Sequence, residues 1–248
     1  MKSIPLMIAT AAALGATACN AEKPGKIDAP EGPVASVAAP DGGDWSEIVS
    51  KTADGGYLMG NPNAPVKLVE YASFTCPHCA EFEESGMKPL VDTYVKSGRV
   101  SFEFRNYVRD PVDVTASLLA RCGADSSFFP IGEALFANQR DWFGKAADYL
   151  NANRAAVQAM APADQFKTIA EQSGLKQFVA QRGVSPAKAD ACLADEAAVQ
   201  KLIEMNNIAT TDHEVNGTPT FILNGTTLPV EASQWPGLEP KLKAVVGG

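Results

Sequence analysis

Two thiols two residues apart, in Cys76-Pro77-His78-Cys79, stand between a run that reads as a strand and a run that reads as a helix. Val66-Lys67-Leu68-Val69-Glu70-Tyr71 is apolar and β-branched enough for a strand, while Phe82, Met87, Leu90 and Tyr94 recur at helical spacing between Ala80 and Lys96. The pair is therefore expected at a helix N-terminus, where unsatisfied N–H groups and the helix dipole favour an anion. Only a thiolate attacks a disulfide, so Cys76 is the expected nucleophile and Cys79, one turn further in, the resolving thiol. Pro77 is tolerated at the first helical position because the N–H it lacks would have no partner there. A protonated His78 adds positive charge near the Cys76 sulfur. Each pKa unit by which Cys76 falls stabilises the reduced form by about 1.36 kcal/mol, or roughly 30 mV for a two-electron couple, so the tetrapeptide leans towards donating a disulfide.

Two other uses of such a pair carry less weight. A zinc half-site needs two further ligands, and Cys122, Cys192 and His213 have no ligand-like spacing, so no metal and no cofactor are expected. A purely structural Cys76–Cys79 bond would close too short a loop to stabilise much.

The N-terminus reads as an export signal. Lys2, an apolar stretch from Ile4 through Leu14 and the small residues Ala16-Thr17-Ala18 give residues 1–18 the layout of a signal peptide, too short for a membrane span. Cleavage after Ala18 would leave Cys19 first, the place where bacterial lipoproteins acquire lipid. Ala16 stands where a lipobox has an aliphatic residue, so lipidation of Cys19 and ordinary signal cleavage both remain open. Residues 19–56 hold repeated Pro, Gly and Ala without apolar periodicity and read as a flexible linker, spanning on the order of 30 Å. The formal charge of −8 without any basic cluster argues against nucleic acid as a partner.

Beyond the linker the pattern is that of an α/β sheet interrupted by helices. Residues 99–105 alternate as a half-buried strand does. Helices are then expected near Val112 to Cys122, Glu133 to Gln139 and Pro162 to Ser173, from Ser185-Pro186, and from Glu196 to His213. Thr220 to Leu223 and Thr226 to Val230 flank Asn224-Gly225, a strong hairpin signal, and a helix near Ser233 to Val246 closes the chain. Pro219, directly before a strand, marks either an edge position or a turn with a cis bond.

Cys76-Pro77-His78-Cys79 at a strand-to-helix turn, the helical insertion and Val215-Asn216-Gly217-Thr218-Pro219-Thr220-Phe221 before the hairpin together resemble the DsbA family of thiol:disulfide oxidoreductases from about Tyr57 onward. The resemblance implies a thioredoxin fold, made of residues 57–108 and 214–248, with an inserted helical domain over residues 109–213. It further implies that Cys76 is the nucleophile, Cys79 the resolving thiol, His78 the stabiliser of the thiolate, and Pro219 a cis-proline facing the disulfide. Thr218 would present its backbone to an extended substrate. Glu70 matches the family's acidic residue beneath the disulfide and would shuttle the Cys79 proton if buried; strand alternation permits burial or exposure. Some family members also carry a second disulfide in the insertion, which implies a Cys122–Cys192 bond, two separate buried thiols being the alternative.

The function so implied is donation of the Cys76–Cys79 disulfide to exported proteins with free cysteines, in the periplasm, with reoxidation by a DsbB-type membrane partner and anchoring through lipid at Cys19. Thr218 is the residue that related isomerases and reductases carry where the best-known oxidases have valine, so an isomerase or reductase is the alternative. A module that only holds peptides is a third.

Overall fold

The computed structural model describes residues 27–247. Six strands form one sheet in the order β1-β2-β4-β3-β5-β6: β1 (Val49–Lys51), β2 (Tyr57–Met59), β3 (Val66–Ala72), β4 (Val100–Asn106), β5 (Thr220–Leu223) and β6 (Thr226–Thr227). Only β3 and β4 run parallel, joined by a helical crossover; every other pairing is antiparallel. That crossover begins as α1 (Pro77–Phe82) and α2 (Lys88–Leu90), with wide π-type turns at Glu83–Met87 and Val91–Val95. Pro89 lies within the helical run and offers no N–H to the preceding turn, and the wide turns lie on either side of it.

Seven helices separate β4 from β5: α3 (Pro111–Ala120), α4 (Phe128–Ala137), α5 (Gln139–Gln158), α6 (Pro162–Gln172), α7 (Leu175–Ala180), α8 (Pro186–Leu193) and α9 (Glu196–His213). A last helix, α10 (Trp235–Val246), follows the hairpin. Asn224 and Gly225 both take positive φ, 46° and 79°, as a two-residue turn between twisted strands requires, and Asn224 Oδ1 accepts from the Lys67 N–H at 2.7 Å. The sheet and the insertion share one apolar core, in which Phe74, Phe104, Phe128 and Phe136 pack ring against ring.

Several expectations need correction. The segment from Ile27 to Gly56 is laid along the domain rather than free of it. Val34 N–H donates to Val246 O and Val37 N–H to Ser97 O, both at 2.9 Å, and Trp45 is buried with its Nε1 donating to Val37 O at 2.7 Å. Residues 49–51 then add β1, and Tyr57–Met59 form a strand that the sequence reading did not include. The anchors Ile27, Val34 and Trp45 are too sparse to produce a period.

β4 is not half-exposed: all seven of its residues are buried. Its Ser101, Glu103 and Arg105 alternate as solvent-facing residues do, but Arg105 donates to Glu103 at 2.7 Å and to the Tyr71 hydroxyl at 3.1 Å, and pairs with Asp54 at 2.8 Å. Burial is tolerable because the charges are paired and hydrogen-bonded. The second hairpin strand stops at Thr227 instead of reaching Val230. The twenty-residue α5 and the short α7 were also absent from the expected helices.

Cys122, just after α3, is bonded to Cys192 in α8, at a sequence separation of 70. Closing a loop of that length removes enough freedom from the unfolded chain to be worth about 4 kcal/mol. Replacing both cysteines by alanine is expected to lower the unfolding free energy in urea by that order, with the denaturant midpoint as the measurement.

Candidate functional site

The site forms where β3 ends. Cys76 is the N-cap of α1 with extended backbone angles, φ −86° and ψ 120°, so its side chain lies at the open end of the helix, as its place before Pro77 requires. Cys76 is 3% exposed and Cys79 1%, and both are free thiols. The Cys76 thiol is brought down to about 5, first by the hydrogen bond from the Cys79 thiol, with Thr218 and the backbone N–H groups of Cys79 and His78 acting in the same direction against the cost of burial. The Cys79 thiol is driven well above its ordinary value by burial, by its bond to Cys76 and by the nearby Glu70 carboxylate. Two cysteines on one turn thus differ sharply in acidity.

Glu70 lies on β3 between Phe104 of β4 and Phe221 of β5, and it is 2% exposed. Desolvation, with Glu83 and Cys76 as like-charged neighbours, raises its carboxyl well above the usual range. Of the two orientations open in the sequence, the buried one is found.

His78 is placed differently from what its expected role suggests. Its ring is largely exposed and pairs with Glu81 through Nδ1 at 2.9 Å, which raises its pKa. The larger contribution of His78 to Cys76 comes from its backbone N–H; charge coupling between its ring and the thiolate is the weakest of its own influences.

Thr218 and Pro219 face the pair from the loop before β5. Their peptide bond is cis, and the Thr218 carbonyl accepts from the Cys76 thiol at 3.2 Å. The Thr218 N–H has no hydrogen-bond partner among the described residues.

Three supporting residues escaped the sequence reading. Gln139, at the start of α5 and buried, donates through Nε2 to Phe74 O at 2.7 Å and Cys76 O at 2.9 Å. Asp113 of α3 accepts from the Ser73 hydroxyl at 2.6 Å and the Phe74 N–H at 2.9 Å, and burial pushes its carboxyl up to about 7. Gln234, just before α10, donates to His78 O at 2.9 Å. The first two come from the inserted helices, so the insertion clamps the turn that carries Cys76. No local pattern marks them: Asp113 reads as an ordinary first-turn acid after the cap Asp110. Cys122 and Cys192 are joined away from this site, while Cys19 and residues 1–18 lie outside the described residues.

An acidic thiol at a helix N-cap, a buried thiol one turn behind it, and a proline loop across from both define a dithiol–disulfide exchange centre on a thioredoxin-like sheet. The model of the thioredoxin family matches residues 52–238. A protein-disulfide isomerase from Novosphingobium aromaticivorans has a solved structure at 35% identity and a TM-score of 0.75, covering 79% of this chain and 100% of that one. The alpha-DsbA1 of Wolbachia pipientis shares the fold at a TM-score of 0.61 and 17% identity, over 79% of this chain and 93% of that one. A Rickettsia bellii protein described as "Putative protein-disulfide oxidoreductase" is 26% identical over 179 residues, which make up 72% of this chain and 61% of that protein. The chain thus spans about three-fifths of the length of that curated relative. This chain belongs to the thioredoxin family, and its sheet with inserted helices has the fold of alpha-DsbA1.

Proposed function

We propose that the protein donates its Cys76–Cys79 disulfide to other proteins. The observation that carries this reading is the split between the two thiols, one lowered to about 5 and the other raised by burial. A substrate thiolate attacks the Cys76 sulfur, a substrate–Cys76 bond forms, and the Cys76–Cys79 bond breaks. Cys79 leaves as a thiolate in a buried setting that strongly favours its protonated form, and Glu70, electrostatically coupled to it and also held protonated by burial, can supply that proton. A second substrate thiolate then attacks the substrate sulfur of the mixed disulfide and expels Cys76, a good leaving group because its thiol is acidic. The substrate loses two electrons and two protons in becoming a disulfide, and the enzyme becomes a dithiol.

Substrate main chain would pair with Thr218, whose N–H has no partner among the described residues, giving affinity through the backbone and broad sequence tolerance. The compartment we propose is oxidising and outside the cytoplasm, in keeping with the signal-like residues 1–18 and the Cys122–Cys192 bond, with a DsbB-type membrane partner regenerating the disulfide. Lipid at Cys19 would anchor the domain there.

Isomerase activity is the second reading, favoured by Thr218 and by the name of the Novosphingobium relative. One pair of assays separates the two. The oxidised protein is mixed with a reduced two-cysteine peptide, and the reduced protein with a scrambled disulfide-bonded protein. The donor reading expects loss of two peptide thiols per enzyme disulfide, outpacing reactivation of the scrambled protein. Turnover of the scrambled protein alone would overturn it.

A further inference from the structure

We infer that the groove between α1 and the inserted helix α4 binds a substrate segment in which lysine or arginine lies among apolar residues; this deepens the proposed reading and rests on it for the word substrate. The groove has a volume of about 1390 Å³ and opens beside Pro77, the neighbour of Cys76. Single small-molecule sites run to roughly 1,000 Å³, so its size suits several side chains of a peptide. Phe74, Phe102, Phe104 and Phe136 are buried beneath it, and the apolar groups it leaves reachable are Pro77, Ala80, Val91, Phe129 and Pro130. Seven acidic and two basic side chains line it.

Part of that charge is already answered within the chain. Glu81 pairs with His78, Asp92 with Lys88 and Lys96, and Asp141 with Lys145. Among the described residues, Glu47, Glu83, Glu84 and Glu133 have no such partner. Glu83 is the informative one. It is set into the groove wall beside α1, it makes no hydrogen bond or ion pair there, and burial together with Glu133 pushes its carboxyl up to about 8. A carboxyl so placed keeps its proton at neutral pH when alone, and a cation brought beside it and Glu133 favours its ionised form, so the groove gains a charge partner as the cation binds. No cluster among the described residues has the His, Cys, Asp and Glu content of a metal site, which favours a side-chain cation over a metal ion. The reachable apolar wall residues select apolar neighbours, and the carboxyls select the basic residue between them.

The test uses fluorescent, cysteine-free peptides of ten residues that differ only in two central positions, Lys or Gln, flanked by Leu and Phe. Anisotropy at low salt is expected to show at least about fivefold tighter binding of the lysine peptide by the full domain, a preference that shrinks in 0.3 M salt. The Glu83→Gln, Glu133→Gln double variant, checked for folding by its denaturant midpoint, is expected to bring the two affinities within about twofold. Because a ratio is read, changes common to both peptides cancel. Equal affinities in the unmodified protein would overturn the inference. So would a preference that persists in the double variant, or a dimer that peptide dissociates, which would seat a second copy in the groove. Cysteine-containing versions of the same peptides are assayed in parallel for oxidation. If the lysine peptide binds preferentially but neither peptide is oxidised, the donor reading fails and the binding site stands.

Discussion

Cys76→Ser is expected to remove disulfide transfer down to the uncatalysed rate, while Cys79→Ser, which cannot hold the disulfide to be donated, is expected to keep only the reverse step, attack of Cys76 on a substrate disulfide, and to stop at the mixed disulfide. The difference follows from the environments of the two sulfurs. Cys76 is the N-cap of α1, with backbone N–H groups and the Cys79 thiol directed at it, so at neutral pH it is almost wholly ionised and is the atom that exchanges. Cys79 is buried, and at the same pH it is a neutral thiol. Its work is intramolecular attack on the mixed disulfide, at an effective concentration no dissolved thiol approaches. The Cys79→Ser protein, incubated with a disulfide-bonded peptide, should therefore accumulate a covalent adduct in near-stoichiometric amount, lasting on the order of a hundredfold longer than the native adduct. Intact mass spectrometry after an acid quench reads it directly. An adduct that builds up instead in the Cys76→Ser protein would reverse the assignment of nucleophile and resolving thiol.

The exchange centre was legible because its chemistry is local: two cysteines, a proline and a helix start lie within four residues, and the proline loop precedes a hairpin marked by Asn224-Gly225. What supports it was not legible. Gln139 and Asp113 reach the Cys76 turn from helices 63 and 40 residues away in sequence, and nothing in their surroundings separates them from surface polar residues. The same cause hid the burial of β4. Glu103 and Arg105 look like the wet side of an alternating strand, and only their pairing with each other, Tyr71 and Asp54 allows the sheet to be covered on that face as well. Trp45 and Val34 failed to announce themselves for a different reason, since isolated anchors in a Pro/Gly-rich stretch create no period even when each is packed. His78 was legible in part: its ring is coupled to the charge of Cys76, as its residue type implies, while the folded helix also pairs the ring with Glu81 and sets the backbone N–H at the sulfur.

The acidity of Cys76 should also be written into stability. Its folded pKa of about 5 lies below the value near 8.5 of an unfolded cysteine, so the thiolate stabilises the reduced fold fully above pH 8.5, and that contribution is lost as pH falls through 5. At pH 7 two of those units are in play, about 2.7 kcal/mol. The oxidised protein has no such group. Its Cys76–Cys79 bond closes a loop of only four residues, worth about 2 kcal/mol in the opposite direction, so the absolute order of the two forms is finely balanced and the pH slope is what reports the thiolate. Glu83 titrates in both forms and largely cancels in the difference, whereas Glu70 has the Cys76 charge as a neighbour in the reduced form alone and contributes to it. The unfolding free energy of the reduced form minus that of the oxidised form should therefore rise by about 1.4 kcal/mol per pH unit between 5.5 and 8 and flatten below 5. Urea titrations of both forms across that range supply the measurement, with iodoacetamide alkylation expected at half its maximal rate near pH 5. A thiol more acidic than an ordinary cysteine shifts the couple in the oxidising direction by about 30 mV for each unit, which favours passing the disulfide to a reduced unfolded chain. An alkylation midpoint near 8.5 with a flat stability difference would mean that burial outweighs the hydrogen bonds at Cys76, and would leave a reducing couple in place of a donor.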